Sequence, residues 1–155
     1  MESMKLLQSF ALNKSGEIVS VHDVERGKAC ECCCSECGEV LISRQGDIRG
    51  WHFAHESGAD CDGAAEGALH KAAKQYLASY GRMVSPRLDI FAEEVLSDGR
   101  HGKFTHIKNA SMMSFKEIRM EEVSGNVKPD LNARYKGKAI FIEIAVTHFV
   151  DQAIL

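Results

Sequence analysis

The sequence predicts an α/β chain of the α+β kind: a small β-rich module gathered round cysteines and histidines, then one long helix, then mostly strands. Three observations predict it. Five of the six cysteines lie between Cys30 and Cys37, and the sixth is Cys61. Disulfides spread their partners along a chain, so clustered Cys followed by His points to metal ligation. Residues 64–79 are rich in Ala, Leu and Lys and run into Gly81, which reads as a helix with its stop signal. Residues 128–148 read as two short strands joined by a tight turn, and the rest of the chain is organised around that hairpin.

At 155 residues the chain holds one ordinary domain or two small ones. Apolar content of 45% and charged content of 26% fit a globular chain, not a disordered one. There is no apolar run of membrane-spanning length and no secretory leader pattern, so the expectation is a soluble cytoplasmic protein with no membrane partner. A net charge of −3 argues against coating nucleic acid by charge alone. A local patch is nonetheless present: Arg100, Lys103, Lys108, Lys116 and Arg119, with His101 and His106, against Glu117. It reads either as a phosphate-contacting face or as an ordinary solvated one.

In chain order, residues 6–24 predict two short strands around Asn13-Lys14-Ser15-Gly16, a hairpin signal. The cysteine cluster follows, then a strand at residues 40–44 turning at Gln45-Gly46-Asp47, then Trp51-His52-Phe53-Ala54-His55. Trp51 and Phe53 are expected in the core of this module, with base stacking as the alternative. The polar loop 57–63 is the expected boundary, giving a zinc-binding module over 1–62 and a second unit over 63–155. On the helix, Asp62 is the expected N-cap, and Ala65, Leu69, Ala72, Ala73, Tyr76 and Leu77 form the expected apolar stripe. Glu66, His70 and Lys74 recur at i, i+4 and i+8 and share one side. After Pro86, strands are expected at 88–91, 104–108 and 115–122, with 91–95 open to a helical turn.

Cys34-Ser35-Glu36-Cys37 is a CxxC knuckle, able to present two thiolates to a tetrahedral Zn²⁺. The second pair comes from downstream. Cys61 and His55 are preferred, Cys32 and His52 are alternates, and Cys30 and Cys33 are surplus. A structural zinc would let a short, core-poor segment fold. The competing readings are free, partly buried thiols or an iron–sulfur cluster. Redox chemistry at Cys34 and Cys37 lacks its βαβ context.

In the hairpin, Asp130 opens the first strand and Tyr135-Lys136-Gly137-Lys138 supplies the turn. The second strand, 139–146, is almost continuously apolar and reads as buried on both faces, interrupted by Glu143. A carboxylate there needs a cation or a partner. Asp130 and Glu143 together suit a hard cation such as Mg²⁺. Alternatively Asp130 caps a turn and Glu143 pairs with Arg134 or Lys138.

With these residues in view, the chain resembles the competence protein CoiA-like family, whose members join a zinc-finger-like segment to a PD-(D/E)XK nuclease-like domain. The resemblance rests on the Cys34–Cys37 knuckle, Arg44-Gln45-Gly46, Trp51-His52-Phe53-Ala54-His55, Glu66, His70 and Lys74, Pro129-Asp130, and Glu143-Ile144-Ala145. It implies a restriction-endonuclease-like core in which Asp130 and Glu143 bind Mg²⁺, Glu66 is an accessory ligand, and His70 and Lys74 face the phosphate. It implies DNA as the partner and phosphodiester hydrolysis in DNA uptake, processing or defence. Two departures stand out. Ala145 occupies the position of the motif lysine, which Lys74 or Lys71 would have to replace. The chain also stops at Leu155, where 150–155 reads as the start of a further helix, so the core is expected to be incomplete at its C-terminus. An open sheet edge leaves room for a second copy or a larger complex. The alternatives are a catalytically incomplete module that binds nucleic acid or protein, and a zinc-stabilised interaction domain with Asp130 and Glu143 tied up in salt bridges.

Overall fold

The computed structural model describes residues 6–59 and 61–146, which form small antiparallel sheets around one helix. Strands β1 (Phe10–Leu12) and β2 (Ile18–Ser20) make the expected first hairpin. Asn13 closes it: its Oδ1 accepts the N–H groups of Ser15 and Glu17 at 2.9 and 3.0 Å. Strands β3 (Gly27–Cys33), β4 (Val40–Arg44) and β5 (His52–His55) complete a sheet of order β2-β1-β3-β4-β5. Its core consists of Ala11, Val21, Cys32, Cys34, Leu41, Phe53 and Ala64, of which only Leu41, Val21 and Phe53 carry sizeable apolar side chains. Trp51, expected in that core, instead lies 40% exposed and stacks on His22 at 5.1 Å.

Helix α1 (Ala64–Tyr80) follows. Its N-cap is Gly63 and not Asp62, because the chain enters through a left-handed conformation (φ 77°) that glycine adopts without steric cost. The buried stripe is Ala64, Ala68 and Ala72, displaced from the predicted one, and Tyr76 is exposed. The reason is proximity: α1 lies against β1 and β2, where small side chains let the backbones approach. Gln75 fastens it there, accepting the N–H of Ile18 and donating to the Ile18 carbonyl, both at 2.9 Å, and so covers the sheet's edge. At its other end Leu77 packs into a second cluster built on Met113, Phe115 and Ala133. The helix thus belongs to both halves of the chain.

Strands β6 (Arg82–Ser85), β7 (Leu88–Val95), β8 (His101–Lys108) and β9 (Ser111–Ser114) form one long ribbon. Pairs Arg82↔Ser114 and Leu88↔Lys108 keep one register throughout, with a break opposite Pro86, which has no N–H for the ladder. β7 continues through the stretch left open to a helical turn, and every one of its residues is exposed. The basic patch falls largely on this arm and is balanced in part: Arg100 pairs with Asp98, Lys103 with Glu93, and Arg119, further on, with Glu122, whereas Lys108 and Lys116 form no ion pair among the described residues.

The last sheet has order β10-β11-β12, with β10 (Lys116–Met120), β11 (Leu131–Tyr135) and β12 (Lys138–Ile142). Lys136 and Gly137 both take positive φ (50° and 80°), the two-residue turn that matches strand twist. β12 corrects the expectation of a doubly buried strand: among the described residues it lies at the edge of its sheet and ends at Ile142, with Ile140 and Ile142 inward and Phe141 46% exposed. One face of it therefore packs, and apolar composition alone does not distinguish that from two. Every strand pair among the described residues is antiparallel. No helix among them is long and apolar enough to cross a membrane. The helix expected from residue 150 lies outside the described residues.

Candidate metal centre and acidic row

The first site forms where β3 ends. Cys34 and Cys37 bracket a tight knuckle in which the Cys34 N–H bonds the Glu39 carbonyl at 2.8 Å and the Gly38 N–H bonds the Cys34 carbonyl at 3.0 Å. The Glu36 N–H donates to Cys34 Sγ at 3.4 Å. β5 pairs with β4 and delivers His55 opposite Leu41, and the loop before α1 delivers Cys61. The ligand atoms of Cys34, Cys37, His55 and Cys61 all lie within 4.8 Å of one another, and Cys37 Sγ is 3.3 Å from His55 Nε2. A tetrahedral Zn²⁺ with sulfur at ~2.3 Å needs ligands about 3.8 Å apart, so this cluster can hold a structural metal such as zinc.

The thiols are electrostatically unequal. Burial raises the Cys34 pKa, but the N–H groups of Cys37 and Glu36, with His55 alongside, outweigh it and bring it down to about 7. Cys61 is pushed up to about 12, by desolvation first and then by its bond to Cys37 and the charge of Cys34. Cys34 is thus more readily ionised than Cys61, and a bound cation would favour the thiolate form of both. The alternates stand elsewhere. Cys32 donates to the Cys30 carbonyl at 3.1 Å and is held as a thiol, at about 12, chiefly by burial. His52 Nδ1 faces the Gly50 carbonyl at 2.8 Å.

The second site lies at the open end of the C-terminal sheet. The two-residue turn pairs Tyr135 with Lys138 and Leu131 with Ile142, so Asp130 and Glu143 come next, opposite each other. On the other side Met120 pairs with Leu131, and the Glu121 N–H donates to the Asp130 carbonyl at 3.0 Å. Glu121, Asp130 and Glu143 therefore form one row across three strands. Sequence reading missed Glu121; the register of β10 on β11 is what finds it.

Helix α1 meets this row. His70 Nε2 lies 2.9 Å from Asp130 Oδ2, which also accepts the Ile144 N–H at 3.0 Å. Lys74, buried although charged, reaches Glu121 Oε1 at 2.6 Å and Asp130 Oδ1 at 3.6 Å. Lys71 turns away, to the Ser35 carbonyl and Glu36 at 2.8 and 2.9 Å, so of the two helix lysines only Lys74 stands at Asp130. Glu66 lines the adjoining groove with His70, Ile144 and Ala145.

Burial raises the Asp130 carboxyl, yet the Ile144 N–H, His70 and Lys74 together hold it below the ordinary range. Glu143 is raised, by desolvation first and then by the charge of Asp130 and a hydrogen bond to it. Arg134 pairs with Glu117 at 3.3 Å. Glu143 thus interacts with a second carboxylate, and among the described residues it forms no salt bridge to Arg134 or Lys138.

Residues 17–64 match the family model of the N-terminal domain of competence protein CoiA. No curated protein and no solved structure matches the chain. The matched stretch holds all four candidate metal ligands and stops at the first residue of α1, so it is the Cys/His module that is similar to this competence-associated domain.

Proposed function

We propose that this chain is a cytoplasmic, metal-dependent nuclease that hydrolyses phosphodiester bonds in DNA, in uptake, processing or defence, on a restriction-endonuclease-like core. The observation that carries the reading is the pair Asp130 and Glu143, opposed across a hairpin with their charges in conflict and with Lys74 3.6 Å from Asp130. Two carboxylates that repel each other fit a hard divalent cation, and Asp130 and Glu143 would hold Mg²⁺ with Glu66 at the rim. Bound there, Mg²⁺ would supply charge neutralisation at the phosphate and a more acidic water. The chain's own groups do the rest. His70 fixes the Asp130 carboxylate through Oδ2, and Lys74 places an ammonium where Ala145 offers none.

A second reading, a nucleic-acid- or protein-binding module without cleavage, is favoured by one observation: the Lys74 ammonium is already engaged by Glu121 at 2.6 Å. Cleavage of single- and double-stranded DNA with Mg²⁺ or Mn²⁺ separates the two. The enzyme reading expects cleavage by wild type and at least ~100-fold less by Glu143→Ala and Lys74→Met. Binding without cleavage, by a folded zinc-loaded sample, would sink it in favour of the second.

A further inference from the structure

A cavity of about 330 Å³ opens beside the metal cluster, between β5, the N-terminal approach and the first turn of α1. Among the described residues its charged lining is of one sign. Arg44 closes β4 and stands opposite His52 on β5, and Arg49 comes from the loop that joins those strands. No described carboxylate lines the cavity, and among the described residues neither arginine has an ion-pair partner. On the arm, Arg87, Arg100 and Lys103 pair with Asp89, Asp98 and Glu93.

The loop that carries Arg49 is rooted: Gln45 Nε2, with two N–H donors, lies 2.9 Å from each of the Val21 and Val24 carbonyls and Ser43 Oγ. His52 donates Nδ1–H to the Gly50 carbonyl, which fixes the ring; Nε2 then accepts in the neutral ring and donates to a phosphate oxygen only in the imidazolium form. Two guanidinium forks and an imidazole around one concavity are chemistry suited to phosphate oxygens. The volume is at the low end of ligand cavities, about that filled by a single nucleotide unit.

Position supplies the second argument. The cavity is walled by Ala64 and Ala65, whereas the groove beside the acidic row is lined by Gly63, Glu66 and Gly67. Both concavities share the first turn of α1, one on each side. A strand of nucleic acid laid across that turn meets the arginines with one phosphate and the acidic row with another.

We propose that Arg44, Arg49 and His52 form a phosphate-binding subsite that anchors the backbone of the strand presented to Asp130 and Glu143. The subsite rests on the nucleic-acid reading above, but not on cleavage. The test is fluorescence anisotropy of a labelled single-stranded DNA oligonucleotide with the full zinc-loaded chain across a salt series. Arg44→Gln and Arg49→Gln should each weaken binding about 5–10-fold at low salt and lower the slope of log K against log salt by about 0.7. Arg44→Lys and Arg49→Lys should restore the slope, which a merely structural role for either arginine would not predict. Trp51 emission checks that each variant is folded. A double Arg→Gln variant that binds with wild-type affinity and slope overturns the subsite while leaving cleavage to be judged on Glu143→Ala. Wild type that binds but never cuts removes the nuclease reading and leaves the subsite standing. Wild type that does not bind the oligonucleotide removes the subsite.

Discussion

Replacing Cys34 by serine is the sharpest test of what holds the N-terminal sheet together. Serine is close in volume and can still accept the Glu36 N–H that now bonds Sγ at 3.4 Å, so packing is nearly preserved while a thiolate ligand is lost. Losing even an outer partner of a metal ligand costs up to about 100-fold in affinity, so losing a ligand should cost at least that. By mass action a 100-fold loss removes about 2.7 kcal/mol of stability. In a chain of this size that lowers Tm by roughly 5–11 °C. The core cannot hide such a loss, because Leu41, Val21 and Phe53 contribute only about 1.5–3 kcal/mol each. The assay is zinc content by elemental analysis beside thermal melts followed by the emission of Trp51, the single tryptophan, which lies in this module. Wild type should carry about one zinc per chain. Cys33→Ser, outside the cluster, should match it in zinc and Tm. A zinc-free wild type that melts within about 1 °C of the loaded one would refute the reasoning.

Three further outcomes follow from the geometry. Lys74→Met removes an ammonium from Glu121, which stays half in water, and from Asp130, which keeps His70 and the Ile144 N–H; urea unfolding should show a loss of about 1–3 kcal/mol, and no loss would mean the buried lysine is not stabilising the row. Glu121 is held below its usual 4.5 by its hydrogen bond to Lys74 first, then by that charge and Lys128. A depressed carboxylate stabilises the fold above its unfolded pKa and loses that contribution as pH falls through the folded one. The Tm gap between wild type and Glu121→Gln should therefore be steady above 4.5 and close below it, whereas a gap that widens in acid would contradict the pairing. Gly67→Ala would set a methyl 2.5 Å from Glu36 Oε1, so Glu36 must swing off Lys71. That exposed pair is worth at most about 1 kcal/mol, similar to what alanine adds to a helix, and stability should stay within about 1 kcal/mol. A loss above about 2 kcal/mol would mean that the knuckle docks rigidly on α1.

Much of the candidate site was legible before any coordinates. The two positive-φ positions at Lys136 and Gly137 dictate a two-residue turn, and that turn alone sets Asp130 against Glu143, six residues out on either side. Spacing likewise puts His70 and Lys74 on one helical side, and the knuckle Cys34–Cys37 with His55 and Cys61 as the preferred partners was readable from residue type and distance along the chain. Less legible were features that depend on what packs against what. Burial of one face of β12 looks the same in composition as burial of two, and the alanine stripe of α1 is decided by how closely β1 and β2 approach it.

Local chemistry, then, is what this sequence determined by itself: turns, a helix with its stop at Gly81, a CxxC knuckle suited to a metal and a hairpin carrying two acids. Tertiary structure decided which of those parts meet. It sent Lys74 to Asp130 and Lys71 to the Cys34–Cys37 knuckle, though the two differ by only three positions on one helix. It added Glu121 to the row and set Arg44 and Arg49 around a cavity on the far side of the same helical turn. The physical reason is that turn and helix geometry are set by neighbours in the chain, whereas the pairing of charges is set by distances across it, which only packing fixes.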